Sequence, residues 1–559
     1  MGCDRFQLIT IFVFFTMSVS VPSFAYKHED QEENTRIFTS CLTQFGIHNF
    51  STHSNSNTDS SVYYELLNFS IQNLRFSESN LPKPTVIVFP ETQDQLAKTV
   101  VCARRSSLEI RVRCGGHSYE GTSSVAMDGR PFVVIDMTRL DNVSVDVNSG
   151  SAWVESGATL GQTYCAIAEA SSVHGFSGGS CPTVGIGGHI SGGGFGLLSR
   201  KYGLAADNVL DAILVTADGE LLDRDAMGED VFWAIRGGGG GVWGIVYAWN
   251  IRLSSVPEAV TSFIVSRPGT MKQVTDLVNK WQHVAPKLHD DFYLSSFVGA
   301  GLPERKNKTG ISATFKGFFL GPKSKAIFII NQTFPELRIV ENDCKETSWI
   351  ESVLFFSGYG DGSSIPDLKN RYLQGKLYYK AKSDYVRKPI PRVGLTTALE
   401  ILEKQPKGYV ILDPYGGVMQ TISSDSIPFP HRKDNLFTIQ YLVEWKDIDN
   451  DKTNDYIAWI RGFYGSMTPY VAWDPRAAYV NYMDIDLGVM NWIKTIVESN
   501  DDDAVEKARE WGEKYFDKNY DRLVKAKTQI DPYNVFRHQQ SIPPMSFEKG
   551  NRRESRLSE

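Results

Sequence analysis

The most informative segment of the chain reads Gly178-Gly179-Ser180-Cys181-Pro182-Thr183-Val184-Gly185-Ile186-Gly187-Gly188-His189. Glycine is dense around it and makes up 11 of the 29 residues from Gly175 to Gly203. A backbone with so few side chains lets consecutive N–H groups approach a large flat or anionic ligand and donate hydrogen bonds to it. The segment also holds a cysteine, so a ligand site and a series of plain turns are both open interpretations of this run alone.

Two further glycine-rich runs support this interpretation. One is Arg113-Cys114-Gly115-Gly116-His117-Ser118-Tyr119-Glu120-Gly121, and the other extends from Arg236 to Gly244, where six of nine residues are glycine. A single run is most often a plain turn. Three runs, two of which carry a reactive side chain, favour a ligand site with His117 and Cys181 as its reactive residues.

Two familiar motifs occur by letter, and neither has the context it needs. Gly239-X-Gly241-X-X-Gly244 matches the dinucleotide fingerprint, but the residues after it are β-rich instead of helical. Gly175 to Gly179 spells the nucleophile elbow of serine hydrolases, which requires a strand before the serine and a helix after it. Here a helical stretch precedes the motif, and cysteine and proline follow. The sequence therefore argues against a Rossmann nicotinamide site and against a serine hydrolase.

The composition of the 559-residue chain is that of an ordinary globular protein. Apolar residues make up 42% and charged residues 22%, which excludes disorder, collagen and coiled coil for the whole chain. The formal net charge is −7 without a long basic run, so we expect no nucleic-acid partner. At roughly 100–200 residues per domain, the length predicts two to four folding units.

The first 25 residues have the order of a secretory signal peptide, with Arg5, an apolar run from Phe6 to Val21, and Ser23-Phe24-Ala25. The run is too short to span a membrane, and no later stretch reaches about 18 uninterrupted apolar residues, so we expect no membrane span. We expect a final location outside the cell in the apoplast, in a vacuole or in an ER-derived vesicle. The glycosylation sequons that fit this route stand at Asn49, Asn68, Asn142, Asn307 and Asn331.

Cysteine usage fits an oxidising compartment. The chain has seven cysteines, and Cys3 lies in the signal peptide. We expect one or two disulfides among the other six, and the residues alone leave their pairing open. No CxxC pair and no His/Cys cluster with zinc spacing occurs, so no metal site is expected.

The rest of the chain shows a mixed α/β pattern. Residues 26–60 are polar and predict a loose lead-in. The spacing of Val274, Val278 and Trp281 predicts an amphipathic helix, and that of Ala504, Ala508 and Tyr515 predicts another. The predicted strands after Pro84 are Thr85–Phe89, Phe132–Ile135 and Ala152–Val154, and the predicted helices between them are Thr92–Arg104 and Thr159–Ala170.

The segment from Leu436 to Trp445 alternates with period two, as a strand does. Apolar side chains share one face. Thr438, Gln440 and Glu444 lie on the other, so this strand is expected to turn a largely polar face toward another part of the molecule.

The glycine runs resemble those of plant berberine bridge enzyme-like flavoproteins, in the vanillyl-alcohol oxidase class. The similarity covers about Cys41 to Pro544 and includes Pro84–Pro90, Arg200–Asn208 and Asp531–Phe536. It implies an α+β fold with a two-part PCMH-type FAD-binding domain and an antiparallel-sheet α+β substrate domain. The implied ranges are a signal peptide 1–25, an FAD domain 26–258, a substrate domain 259–478, a C-terminal berberine-bridge-type segment 479–545 that returns to the FAD domain, and a tail 546–559.

The resemblance implies FAD held by two covalent bonds, from His117 to the flavin 8α-methyl carbon and from Cys181 to ring carbon C6. The backbone amides from Arg113 to Ser118 would hold the pyrophosphate. A Cys41–Cys102 disulfide is implied as well, with Cys114 and Cys165 reduced. The expected cofactor-binding residues are His117, Cys181, Arg113, Cys114, Gly115, Gly116, Ser118, Val184, Gly187, Gly188, His189, Gly244 and Asn534.

Two residues match catalytic positions of relatives. Tyr482, in Tyr479-Val480-Asn481-Tyr482, matches the general base of members that oxidise alcohols or sugars. A tyrosine titrates near 10, so it would need a stabilising donor at neutral pH. Gln440 stands where bridge-forming alkaloid enzymes have a glutamate base. Glutamine cannot abstract a proton, so carbon–carbon bridge formation is not expected, although Gln440 can still hydrogen-bond flavin or substrate.

Other departures favour an amine substrate. Some alcohol-oxidising relatives support a tyrosinate with a lysine and a tyrosine, where this chain has Thr438 and Phe195. Oxidation of a C–H bond beside an amine nitrogen needs no deprotonated hydroxyl, because the nitrogen lone pair assists hydride departure. Trp243 is also more similar to the alkaloid members. We therefore expect an alkaloid-type amine oxidase; a carbohydrate or alcohol oxidase with Tyr482 as base, and a flavin-free binding protein on the same fold, are the alternatives.

The residue three positions after Cys181 is expected to affect how fast the reduced flavin reacts with oxygen. Among relatives, valine at this position accompanies oxidases and leucine accompanies enzymes that react slowly with oxygen. Val184 therefore predicts O2 as electron acceptor and H2O2 as product. The expected partners are a small molecule and O2, and the expected state is a monomer.

Overall fold

The structure is a computed structural model that describes residues 28–53, 60–302, 310–360, 362–372, 375–492 and 501–545. The predicted signal peptide, the predicted tail and the sequon at Asn307 lie outside these residues. Of the helices within the described ranges, none is long and apolar enough to cross a membrane.

Two sheets make up the N-terminal half. The first has the strand order β1-β2-β4-β3, in which β1 pairs antiparallel with β2 and the other pairs are parallel. Its strands are β1 Phe50–Thr52, β2 Val86–Val88, β3 Glu109–Arg113 and β4 Phe132–Asp136. The second sheet is antiparallel with the order β5-β6-β10-β8-β9. Its strands are β5 Val143–Asp146, β6 Ser151–Glu155, β8 Val209–Val215, β9 Leu221–Leu222 and β10 Ile245–Arg252, and a small ribbon joins β7 His174–Gly175 to β11 Ser254–Ser255.

The predicted strands and helices of this half are confirmed. Its helices are α1 His28–Gln44, α2 Ser60–Asn68, α3 Gln93–Arg105, α4 Leu160–Ala170, α5 Ile186–Ser191, α6 Ser199–Tyr202 and α7 Arg224–Ile235. The side chain of Thr92 caps α3 by accepting from the Gln95 N–H at 3.1 Å, which is why the helix begins there.

The expectation of a loose lead-in over residues 26–60 is wrong. Helix α1 and strand β1 occupy much of it, because Phe38 and Leu42 are buried against the apolar side of α3. The Cys41–Cys102 disulfide implied by the resemblance is present and joins the two helices, while Cys114 and Cys165 are free. A few well-placed apolar residues and one cross-link therefore outweigh the polar composition.

The middle of the chain forms a seven-stranded antiparallel sheet with the order β15-β12-β14-β13-β17-β18-β16. The predicted strand over 436–445 and the predicted helix over 274–281 are both confirmed. The strands are β12 Val260–Gly269, β13 Phe292–Gly299, β14 Ile311–Phe319, β15 Cys344–Thr347, β16 Tyr378–Val386, β17 Gly408–Pro414 and β18 Phe437–Trp445. The helices are α8 Met271–Val284, α9 Lys323–Thr333, α10 Trp349–Phe356, α11 Arg392–Glu403 and α12 Thr453–Ser466.

One face of this sheet packs on helices, and the other turns toward the N-terminal half. The apolar side chains of β18 belong to the same core as those of α8, α11 and α12. The chain then returns to the N-terminal half through α13 Asp501–Phe516 and α14 Tyr520–Ile530. Buried Lys527 anchors this return by donating to the Val242 carbonyl in the third glycine run at 2.6 Å and to the Phe536 carbonyl at 2.7 Å.

Candidate active site

A cavity of about 520 Å³ lies between the glycine runs and the seven-stranded sheet. Its size is typical of a ligand site. The first glycine run enters it directly after β3, the second through α5, and the third directly before β10. Thirteen of the predicted site residues line it: Cys114, Gly115, Gly116, His117, Ser118, Cys181, Val184, Gly187, Gly188, His189, Gly244, Gln440 and Tyr482.

The two reactive residues of separate glycine runs meet at one hydroxyl group. The His117 Nε2 atom lies 2.9 Å from Thr183 Oγ1, and the Cys181 Sγ atom lies 3.6 Å from the same oxygen. Burial lowers the pKa of His117 to about 4, so its imidazole is neutral and keeps a nucleophilic ring nitrogen. By contrast, burial raises the pKa of the Cys114 thiol to about 12, which leaves it protonated and unreactive.

The glycines around the cavity are of two kinds. A Cβ atom on Gly116 would lie 1.8 Å from the Ser70 carbonyl oxygen, so this glycine permits close packing of the protein on itself. A Cβ atom on Gly188 or Gly241 would meet nothing within 4 Å, although both glycines line the cavity. The backbone at Gly188 and Gly241 is therefore left bare toward the cavity, which is what a flat ligand such as a flavin requires.

Two predicted cofactor residues do not line the cavity. Arg113 ends strand β3, and its buried guanidinium donates to the Asp136 carboxylate at 2.6 Å and to the carbonyls of Leu67 and Leu66. The Arg113 side chain therefore holds β3 to β4 and α2, and only its backbone amide is left to contact a phosphate. Asn534 has a left-handed φ of 50°, a conformation that asparagine tolerates, and it shapes a turn beside the cavity wall. The contacts expected of the Arg113 backbone amide and of Asn534 with FAD stay predictions.

His189 is held as a neutral acceptor beside Cys181. Its Nε2 atom accepts the Gly179 N–H at 3.0 Å, and burial lowers its pKa to about 4. Its carbonyl accepts from the Asn481 side chain at 3.0 Å, which ties α5 to the segment that carries Tyr482.

Gln440 and Tyr482 meet at a third residue, Tyr119. The Gln440 Nε2 group donates to the Tyr119 hydroxyl at 2.7 Å, and the Tyr482 ring packs edge-on against that of Tyr119, with centroids 5.5 Å apart. Burial, followed by the nearby Asp413 carboxylate, raises the pKa of Tyr482 well above its ordinary value of 10. Among the described residues, burial, Asp413 and the neighbouring tyrosines all raise this pKa and favour the protonated phenol.

Comparison with known proteins agrees with this geometry. A family model described as FAD binding domain matches residues 84–224, and one described as Berberine and berberine like matches residues 478–543. Berberine bridge enzyme-like D-2 of Nicotiana tabacum is 60% identical over 555 residues, which are 98% of this chain and 97% of the relative. The chain belongs to the berberine bridge enzyme-like family.

Other members of the berberine bridge enzyme-like family extend the comparison. Reticuline oxidase of Papaver somniferum is 47% identical over 514 residues, which are 92% of this chain and 93% of the relative. A solved structure of a berberine bridge enzyme variant in complex with (S)-reticuline is 46% identical, with a TM-score of 0.87 over 91% of this chain and 99% of that one. The α+β fold with an FAD-binding domain is thus confirmed, and the protein is an FAD-dependent oxidoreductase.

Within this family fold, the sheet supplies a wall that the sequence did not reveal. Lining side chains come from the cavity-facing side of three neighbouring strands: Tyr293, Ser295 and Phe297 on β13, Lys316 on β14, and Ile411 and Asp413 on β17. Their alternation with the core residues Leu294, Val298, Val410 and Leu412 is the same period-two signal that revealed Gln440 on β18. The signal was present in β13 and β17, but the order of strands in the sheet is not readable from it.

Proposed function

We propose that this protein is a secretory-pathway oxidase with FAD bound covalently through His117 and Cys181, and that its substrate is an alkaloid-type amine. When bound, FAD supplies the oxidation, accepting a hydride from a substrate C–H bond and passing the electrons to O2 to give H2O2. The carrying observation is that Tyr482, the one phenol in the position of a general base, is held protonated by burial beside Asp413.

The case for two tethers rests on the contacts around Thr183. Its hydroxyl is within reach of both His117 Nε2 and Cys181 Sγ, so residues from two different glycine runs face the same part of the cavity. The neutral form of His117 is the one that can form a bond to carbon. The bare backbone at Gly188 and Gly241 leaves room for a ring system next to them.

The case for an amine rests on Gln440 and Thr438, which stand where relatives carry a base or a supporting cation. An alcohol gives up hydride only as its O–H proton leaves, which requires a base. Gln440 has no basic atom, and its amide is engaged with Tyr119. The Thr438 hydroxyl donates to the Asp384 carbonyl at 3.0 Å and offers no positive charge. An amine substrate needs neither group, because its own lone pair stabilises the developing cation.

A secretory route is supported by the predicted signal peptide and by the positions of the sequons. Asn142 and Asn331 are exposed, whereas Asn49 and Asn68 are half-buried. Of the sequons in described segments, Asn142 and Asn331 are therefore the better candidates for a glycan. Endoglycosidase digestion followed by peptide mass spectrometry identifies which of them are modified.

The covalent attachment is tested by denaturing the purified protein, precipitating it and measuring flavin in pellet and supernatant. We expect wild type and Cys181→Ala to keep flavin in the pellet, the latter through His117. Only the double variant with His117→Ala should release all of it. Cys165→Ala is the matched control, since Cys165 is a buried free cysteine outside the cavity lining. Flavin in the wild-type supernatant, with unmodified His117 and Cys181 peptides, would overturn the proposal.

A further inference from the structure

The buried carboxylates of the described residues differ in whether they form an ion pair. Seven are buried in the described segments, and six of these form an ion pair with a described lysine or arginine: Glu109, Glu120, Asp136, Asp384, Asp484 and Asp531. The exception is Asp413, which has no ion pair with a described cation. Burying a charged carboxylate without a cation is costly, so an exception inside a ligand cavity indicates a missing partner.

Asp413 lies on the cavity-facing side of β17 and lines the cavity. In the sheet it is directly opposite Thr438, and two residues before it Ile411 is opposite Gln440. Asp413 and the predicted catalytic residue Gln440 are therefore on neighbouring strands, two residues apart in register. The pKa of Tyr482 responds to the Asp413 carboxylate.

The groups around the carboxylate leave capacity for another donor. Tyr293 donates its hydroxyl to Asp413 Oδ1, the one hydrogen bond that this carboxylate receives from the described residues. Lys316 is the nearby cation, but its ammonium lies over the Phe297 ring, 4.2 Å from the centroid, and forms no ion pair with a described carboxylate. An ionised carboxylate can accept about four hydrogen bonds. Oδ2 is therefore available to a ligand.

We propose that Asp413 is the substrate-binding residue that pairs with the protonated nitrogen of an amine and accepts its N–H proton. The step is balanced: the N–H bond breaks, an O–H bond forms on Asp413, and the electron pair stays on nitrogen. That lone pair is what the proposed amine oxidation needs, so the inference rests on the proposed function. The rings of Phe195, Phe297 and Tyr482 line the same space and suit a cation that carries apolar substituents.

The acid–base properties of Asp413 fit this role. Burial raises its pKa to about 6, nearer to that of an amine than an ordinary carboxyl is. The groups that face it are Tyr293, Tyr415, Tyr482 and Lys316, of which Tyr293 and Lys316 lower its pKa and keep it ionised at neutral pH. The Asp413 carboxylate can therefore bind the ammonium cation and then hold the proton that the cation gives up.

The test measures binding to the flavin-loaded protein by calorimetry, so it does not depend on turnover. The probes are N,N-dimethylbenzylamine, which is protonated near neutral pH, and benzyl alcohol, its neutral counterpart. We expect Asp413→Asn to weaken binding of the amine at least about tenfold and to leave binding of the alcohol unchanged. A wild type that prefers the alcohol, or an Asp413→Asn protein that binds the amine as wild type does, contradicts the proposal.

Glu444→Gln is the matched control. Glu444 lies on neighbouring β18, also accepts from a tyrosine, Tyr409 at 3.0 Å, and does not line the cavity. The Glu444→Gln protein should bind both probes as wild type does. Flavin content and the thermal unfolding midpoint of each variant establish that a loss of binding is local. Amine binding that depends on Asp413 in a protein that oxidises only sugars would refute the proposed function separately.

The pH dependence gives a second readout. A carboxyl with a raised pKa loses its charge as pH falls through about 6, so amine affinity should fall there. Tyr293→Phe removes a hydrogen bond that favours the charged form, so its midpoint should move to higher pH. A midpoint that does not move, or an affinity that is flat across this range in wild type, would exclude Asp413 as the partner of the cation.

Discussion

The wall of the cavity formed by the glycine runs and the wall formed by the sheet present different atoms to a ligand. On the first wall, bare backbone at Gly188 and Gly241 faces the space, and the reactive side chains His117 and Cys181 are fixed beside it. On the second wall, alternate side chains of β13, β17 and β18 project into the space. A backbone wall suits one permanent cofactor, whereas a side-chain wall can change its chemistry through single substitutions without altering the sheet. We therefore expect the second wall to determine substrate choice.

The largest expected effect comes from a substitution in the wall formed by the glycine runs. Gly188→Val places two methyl groups in the space proposed for the flavin, and overlap of this kind costs about 3 kcal/mol. We expect the affinity for flavin before covalent attachment to fall about a hundredfold, and the flavin per polypeptide, measured by absorbance after purification, to fall with it while the fold is retained.

Gly462→Val is the control for that substitution. Gly462 is also an exposed helical glycine whose Cβ would meet nothing within 4 Å, but it lies on α12 and outside the cavity lining. Both variants undergo the same change in intrinsic helix propensity, which is below about 1 kcal/mol and slightly favours valine over glycine. Equal flavin content in the two variants would show that Gly188 does not face the cofactor.

The next effect concerns the rate at which oxygen reoxidises the flavin beside the same wall. Val184 lines the cavity, and Val184→Leu adds one methylene group where the enzyme is proposed to admit O2. One methylene in a tight apolar pocket changes a rate by roughly 10–200-fold, and we expect reoxidation to slow about 30-fold. Stopped-flow mixing of the reduced enzyme with aerated buffer measures it, and a quinone acceptor serves as control. A wild type that stays bleached for minutes in air would contradict the role given to Val184.

The two walls also differ in how well the sequence predicts them. The glycine runs contain eleven of the thirteen predicted lining residues, because reactive residues and glycines form contiguous motifs. The motif predicted a role for the Arg113 backbone amide, but it could not show that the Arg113 side chain is turned into the core at the end of strand β3. Asp413 and Tyr293 were missed because their meeting depends on which strands are neighbours, a property of the fold and not of either segment.

The fold itself was largely predictable. Period-two alternation predicted β18, and helical spacing predicted α8 and α13. The error lay in residues 26–60, where composition indicated a loop but Phe38, Leu42 and the Cys41–Cys102 disulfide hold a helix in place. Long-range packing of this kind is not encoded in the local pattern.

The smallest expected effect concerns Tyr482, which lines the cavity from the segment after the sheet and on which amine and alcohol substrates make opposite demands. Removing a base should slow an alcohol oxidation by roughly 10²–10⁴-fold. A tertiary amine has no hydroxyl proton to surrender, so Tyr482→Phe should remove only a packing or hydrogen-bonding contribution, at most about tenfold or 1.4 kcal/mol. We expect the small effect, because burial and Asp413 keep the phenol protonated.

The measurement is anaerobic flavin reduction by the best substrate from a panel of alkaloids, alcohols and sugars, for wild type and Tyr482→Phe. Tyr479→Phe is the control for loss of a neighbouring hydroxyl, since the two rings pack with centroids 4.9 Å apart and Tyr479 accepts the Gly194 N–H at 3.0 Å without lining the cavity. A thousandfold loss in Tyr482→Phe alone would mean that the phenol is ionised by substrate binding. In that case Tyr482 acts as a base, and the substrate is an alcohol or a sugar.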